Sequence, residues 1–164
     1  PTPYAEISEE EWRRVLDGNL TATHVACQEF ATHFAAQEAG GAILNIGSVT
    51  AHIPLSRVFT YAAAKAAVVN LSKNLAREYA PQNVRVNVIC PGFFPADQNR
   101  ALLYNDDGTY TERGTQIIGH TTMRRFGAPD ELAGAVIWLA SQRASSFVTG
   151  QNIVVDGGFA ASTI

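Results

Sequence analysis

Cysteine is scarce: Cys27 and Cys90 are the only two in 164 residues. Two cysteines without metal-ligand spacing suggest neither a zinc site nor a disulfide framework. They read as small core residues of a reducing compartment. The four histidines, His24, His33, His52 and His120, show no ligand spacing either, so no metal is expected. No apolar run approaches the ~20 residues of a membrane span. Pro1-Thr2-Pro3-Tyr4 has no basic stretch leading into an apolar core, which predicts no signal peptide. The net charge of -3 gives no reason to expect nucleic acid or an anionic membrane as a partner. There are thirteen glycines, yet no three stand at GxGxxG or TGxxxGxG spacing. The compartment these absences favour is the cytoplasm.

The residues present suit an ordinary folded protein, 46% apolar and 16% charged. The length predicts one domain over residues 1–164 with a real core. Ser8-Glu9-Glu10-Glu11 is a capping box that opens a helix. Trp12, Val15, Leu16, Leu20 and Val25 then keep helical spacing to about Gln37. Gly40-Gly41 breaks the chain, and Ala42–Ile46 reads as a buried strand ending at Gly47-Ser48. A second long helix is predicted from about Thr60 to Tyr79, stopped before Pro81. Val84–Ile89 alternates and β-branches, a second strand closed by Pro91-Gly92. Residues 93–127 read as irregular and polar, apart from a short helix near Thr111–Ile118. Pro129 suits the first position of a third helix, with Asp130 and Glu131 near its positive end. Gln151–Val155 is the last strand, ended by Asp156-Gly157-Gly158.

Helices alternating with strands at these lengths imply an α/β fold with parallel strands and right-handed crossovers. A three-stranded parallel sheet is small. Its first strand is expected to present an open edge.

Within this frame Tyr61 and Lys65 stand one helical turn apart, on one face. A lysine cation beside a phenol favours the phenolate, lowering a pKa otherwise near ~10. That predicts general acid/base chemistry on a carbonyl or alcohol oxygen. The plainer readings are a helix-surface pair for Tyr61 and Lys65, a strand terminator for Ser48 and a polar residue in a helix bend for Asn19.

Asn19, Ser48, Tyr61-Ala-Ala-Ala-Lys65, Asn87-Val88-Ile89-Cys90-Pro91-Gly92 and Val155-Asp156-Gly157-Gly158 follow one another in a fixed order. In that order the chain resembles the short-chain dehydrogenase/reductase family through essentially its whole length. A narrower resemblance lies in Pro91-Gly92-Phe93-Phe94, Gln98–Leu103, Thr111–Gly114, His120-Thr121, Arg125-Phe126-Gly127 and Ser145–Gly150. These segments are similar to the branch of D-mannonate oxidoreductases and fructuronate reductases. The resemblance implies a partial Rossmann-like fold, a three-stranded parallel sheet flanked by helices. It also implies NAD or NADP as cofactor and a keto or hydroxy sugar acid as substrate. Tyr61 becomes the acid/base and Ser48 the holder of the substrate oxygen. Lys65 becomes the grip on the nicotinamide ribose, and Asn19 orders a water that relays protons to Lys65. Pro91, Gly92 and the Phe94 backbone become the nicotinamide wall. Arg100 and His120 are the substrate-binding candidates. Arg100, Arg113, Arg124 and Arg125 can each meet a carboxylate with a guanidinium fork, or stand as solvated surface charges. Ala96 stands where many family members carry a cofactor-binding threonine.

The larger departure is the missing glycine-rich turn, with its N-terminal dinucleotide-binding βαβ units. Relatives of this kind run to roughly 250 residues. Two explanations stand: a fragment, or a short protein that covers its orphaned edge with another copy. The resemblance implies a homo-oligomer through the two long helices, with the exposed sheet edge as a second contact. The chain by itself is expected to bind NAD(H) or NADP(H) weakly or not at all and to be inactive. The rival to an enzyme is a non-catalytic descendant, an oligomeric α/β protein without usable cofactor binding. The remote half of a dinucleotide supplies much of the energy that positions its reactive half.

Overall fold

The computed structural model describes residues 2–97 and 99–162, so Gln98 of the narrower resemblance lies outside the described residues. Ser8 caps helix α1 (Glu9–Leu16), its hydroxyl accepting from the Glu11 N–H at 3.1 Å. Only half of the expected capping box forms. Glu11 Oε1 accepts instead from Thr2 Oγ1 at 2.8 Å, which ties the preceding segment to the helix. α1 continues through a wider π-helical turn, Asp17–Thr21, into α2 (Ala22–Ala35). A π turn inserts one extra residue per turn and is often found at functional positions.

Strand β1 (Gly41–Ile46) leads through Ser48 and a short 3₁₀ turn to helix α3 (Phe59–Tyr79). Strand β2 (Val84–Pro91) follows. Two short helices, α4 (Arg100–Leu103) and α5 (Glu112–His120), organise the segment that read as mostly irregular. α4 escapes the pattern because four residues are too few for a helical period to register. The third long-helix prediction becomes a 3₁₀ turn at Pro129–Leu132 running into α6 (Ala133–Ala140). Strand β3 (Asn152–Val155) completes the sheet.

The sheet is parallel, in the order β1-β2-β3. Among the described residues, β1 pairs only with β2, which leaves its other edge open as expected. β2 is buried from Val84 to Cys90. Its alternation is real but does not separate a wet face from a dry one. Val84 and Val86 pack with Cys27, Ala31 and Ile43, and Val88 and Cys90 with Val69. On the opposite face Arg85 and Asn87 are buried too and bond mainly to backbone, with Arg85 Nη2 left without a partner among the described residues. Arg85 Nη1 donates to the carbonyls of Leu139 at 2.9 Å and Val148 at 3.3 Å. Asn87 donates to the Val148 carbonyl at 2.9 Å and accepts from the Gln151 N–H at 3.0 Å. Buried polar groups of this kind cost stability unless paired, and here they dock the chain entering β3.

A separate apolar cluster of Val49, Leu103, Ile117, Phe126 and Phe159 sits beyond the carboxyl ends of the strands. The Pro91-Gly92 and Asp156-Gly157-Gly158 turns meet there. A Cβ on Gly92 would fall 2.7 Å from the Asp156 backbone, so only glycine permits this approach. Asp156 then accepts from the N–H groups of Gly158 at 2.8 Å and Ala160 at 2.7 Å, fixing the turn. No helix among the described residues is long and apolar enough to cross a membrane.

Candidate active site

Ligands of open parallel sheets bind where the strands end, and the sequence candidates gather at that end. Ser48 follows β1 and is buried, with extended backbone. Its hydroxyl accepts from the Thr50 N–H at 3.2 Å, which fixes its direction. Tyr61 and Lys65 occupy the first two turns of α3, both half-buried. Ala64 between them is fully buried, which lets α3 press closely onto its neighbours. Lys65 Nζ donates to the Ile46 carbonyl at 2.9 Å and lies 5.5 Å from the centre of the Tyr61 ring.

Burial pushes the Tyr61 phenol above its ordinary value, with the Ser48 hydroxyl pulling it partly back and Cys90 adding to the rise. This corrects the expectation of a phenol depressed by Lys65. The ammonium is turned toward a backbone carbonyl, and removal of water from the phenol sets the direction of the shift. Burial also lowers Lys65, while Cys90 opposes that change. Cys90 is fully buried beneath these groups. Its thiol is pushed up by burial and held back by the Ser48 backbone and Lys65. From sequence, Cys90 reads as a small core residue. Its position immediately before Pro91-Gly92 was the available clue that it underlies the site.

Asn19 lies in the π turn, which packs against α3. Its side-chain amide donates to the Val15 carbonyl at 2.9 Å, and its own carbonyl accepts from Thr23 Oγ1. The amide is thus engaged within its helix rather than with Lys65. Pro91 and Gly92 lie at the end of β2, and Phe93 and Phe94 follow. The Phe94 carbonyl accepts from Asn99 Nδ2 at 3.0 Å, and Ala96 N–H donates to Asn99 Oδ1 at 2.8 Å. This local clasp holds the segment around Ala96, where many family members carry a threonine.

The two substrate candidates part company. His120 ends α5, packs edge-on against Phe159 at 4.6 Å and lines a hollow beside the apolar cluster. Arg100 is exposed, stacks over Tyr104 at 5.2 Å and borders a different, acidic hollow with Asp97 and Asp106. Helix α4 holds Arg100 there, so the two candidates border different hollows. Leu55, Ser56, Gln116 and Phe159 also line the His120 hollow; Leu55, Ser56 and Phe159 come from loops and turns, which carry no period, and Gln116 from the same face of α5 as His120.

A family model described as Enoyl-(Acyl carrier protein) reductase matches residues 1–160. The chain belongs to the short-chain dehydrogenase/reductase family. It is 40% identical over 158 residues to an uncharacterized oxidoreductase, UxuB, of Bacillus subtilis, covering 96% of this chain and 56% of that protein. It is similar to a solved structure of a proposed D-mannonate oxidoreductase from Haemophilus influenza with bound NAD, at 34% identity and a TM-score of 0.91. That match covers 98% of this chain and 57% of the other. It is also similar to a gluconate 5-dehydrogenase from Burkholderia cenocepacia in complex with NADP and tartrate, at 33% identity and a TM-score of 0.90. There the shares are 99% and 61%. The chain therefore spans somewhat more than half the length of these short-chain relatives.

The family implies a nicotinamide dinucleotide, and the donors present fit its nicotinamide end. Lys65 has three N–H bonds and spends one on Ile46, leaving two for ribose hydroxyls. Tyr61 stands beside it, half-buried. The pyrophosphate end has no matching glycine-rich turn in this sequence.

Proposed function

We propose that Ser48, Tyr61 and Lys65 are the catalytic groups of a nicotinamide-dependent oxidoreductase that interconverts a sugar-acid ketone and its secondary alcohol. The observation that carries this reading is the gathering of Ser48 and Lys65 around a half-buried Tyr61 at the strand ends. The sugar-acid class is supported by the gluconate and mannonate names of the similar structures. Lys65 holds the nicotinamide ribose, and Pro91, Gly92 and Phe94 wall the ring. A bound nicotinamide supplies the acceptor or donor of hydride. Ser48 orients the substrate oxygen toward Tyr61. In reduction Tyr61 gives its phenolic proton to the carbonyl oxygen as the C–H bond forms. In oxidation the phenolate takes the O–H proton as that bond breaks.

The raised phenol bears on how each direction runs at neutral pH. A protonated Tyr61 is ready to act as an acid, so reduction proceeds without prior ionisation. Oxidation requires the minor phenolate form. The test is a chimera carrying, ahead of Pro1, the glycine-rich βαβ segment of a family relative. NADH or NADPH production is followed spectrophotometrically with D-mannonate and D-gluconate. Turnover that disappears on Tyr61→Phe supports the reading. Turnover unaffected by Tyr61→Phe removes it.

A further inference from the structure

Four arginines were candidates for a carboxylate, and the structure separates them. Arg100 stacks on Tyr104, and Arg124 donates to the Gly119 carbonyl. Arg125 is forked onto Glu131 with two contacts of 2.7 Å. Arg113 is half-buried on α5 and makes no hydrogen bond or ion pair among the described residues. Residues 113, 116, 117 and 120 share one face of α5 by their i, i+3, i+4 and i+7 spacing. That face closes a hollow of about 160 Å³ with Leu55, Ser56, Phe93 and Phe159.

The composition of this hollow is unlike that of its neighbours. Four other hollows among the described residues each include a carboxylate: Asp156 and Glu131, Glu11, Asp17 with two glutamates, and Asp97 with Asp106. The Tyr61 hollow also has an unpaired arginine, Arg57, but there Glu11 sits in the same lining. The Arg113 hollow has no acid in its lining at all. Glu112, next in sequence, accepts from Gln116 Nε2 at 3.2 Å. The apolar walls strengthen any ion pair formed against them.

Its position connects it to the reaction. Leu55 and Ser56 belong to the loop that joins Ser48 to α3, and Phe93 follows Gly92 directly. Val49, the neighbour of Ser48, packs in one cluster with Ile117 and Phe159. A volume of about 160 Å³ is below the ~300–1,000 Å³ of a pocket that holds a whole ligand, so it takes one end of a molecule.

We propose that the α5 hollow is the carboxylate subsite, with the Arg113 fork gripping the acid end of the substrate. His120 and Ser56 supply the flanking polar contacts. This inference rests on the sugar-acid reading above and names the residues that impose it. Arg113 is a specificity-determining residue, remote from the proton that Tyr61 moves.

The test needs no cofactor and uses the 164-residue chain. D-gluconate, its neutral counterpart D-sorbitol and inorganic phosphate are each titrated while the Arg113 side-chain N–H, His120 ring and Phe159 ring signals are followed by NMR. Saturable shifts with D-gluconate alone are expected. Arg113→Gln is expected to weaken them about 10- to 100-fold, the loss typical of a charged hydrogen bond. Arg113→Lys, which keeps charge without the fork, is expected to recover part of the affinity, and unchanged amide spectra establish that both variants fold. Equal shifts with sorbitol or with phosphate, or gluconate binding unchanged by Arg113→Gln, would overturn the subsite. Those results leave the Tyr61 test of the chimera untouched. Conversely, a chimera indifferent to Tyr61→Phe removes the catalytic reading while gluconate binding at Arg113 still stands.

Discussion

Around Ser48, Tyr61 and Lys65 the polar groups are engaged with the chain itself. Lys65 holds the Ile46 carbonyl, Ser48 accepts from Thr50, and Cys90 lies sealed beneath. Across the apolar cluster of Val49, Ile117 and Phe159, the face of α5 is different. Arg113 has no partner among the described residues, and His120 touches the edge of one aromatic ring. The first region is fixed by strand ends and a buried helix, so its geometry survives whatever substrate is used. The second is a nine-residue helix that buries Gly114 and Ile117 but leaves Arg113, Gln116 and His120 outside the core, where they can change without disturbing it. On the proposed reading, chemistry is held by the scaffold and recognition is carried by a replaceable element.

The sharpest way to break this contrast is to compare kinetic signatures on its two sides. Tyr61→Phe in the chimera is expected to lower kcat/KM for reduction by about 10²- to 10⁴-fold, the range of general acid catalysis. The loss should appear in kcat, as it does for a group needed in the transition state. A loss confined to KM would place Tyr61 with the recognition residues.

The anchored region should also differ in stability. Asn87→Ala strands the Gln151 N–H where β3 docks and leaves the Val148 carbonyl only its longer bond from Arg85. It is expected to cost about 2–4 kcal/mol in urea unfolding of this chain. Gln116→Ala on α5 is expected to stay within about 0.5 kcal/mol of the parent. Similar losses for the two variants would erase the distinction between a fixed core and a tolerant surface.

Much of the anchored region was legible in the sequence, and little of the other was. Tyr61 and Lys65 announce themselves through helical spacing, and Ser48 through the end of an apolar run. Position along a regular element carries that information. The direction of the Tyr61 shift was not legible, because it depends on how much water reaches the phenol and where the Lys65 ammonium points. The choice of Arg113 over Arg100 was hidden for a related reason. Both lie in the segment between Pro91 and Pro129, and only the placement of α4 and α5 sends one to an acidic hollow and the other to an acid-free one. The burial of Arg85 and Asn87 was not legible either: alternation marks a strand, and only the packing of α6 and the segment leading to β3 covers both side chains.

A pH profile offers a finer test on the catalytic side. Since burial raises the Tyr61 phenol, the oxidation rate should climb with pH beyond the ordinary tyrosine value of ~10, while reduction holds steady through neutrality and falls only as the phenol ionises. An oxidation limb that levels off below ~10 would mean that bound ligands reverse the shift.

The smallest effect is expected at the start of α6. Arg125 and the Ala128 N–H hold the Glu131 carboxyl down to about 2. A depressed carboxylate contributes stability above its unfolded value and loses it as pH falls through the folded one. Thermal unfolding should therefore show a component lost between about pH 4.5 and 2 that Glu131→Gln lacks. The pair is open to solvent, so the difference should be slight and should shrink with added salt.

The central position of β2 has a consequence for how the molecule comes into being. One of its edges is met by β1, about forty residues earlier, and the other by β3, about sixty residues later. Parallel pairing at such separations gives a high contact order and slow folding. On the ribosome, β2 emerges with its second edge unpaired and Asn87 without the backbone groups it will hold, until Val148 and Gln151 have been made. A nascent chain paused in that interval exposes a row of free amides and carbonyls bordered by valines. It is the form of this protein most in need of a chaperone.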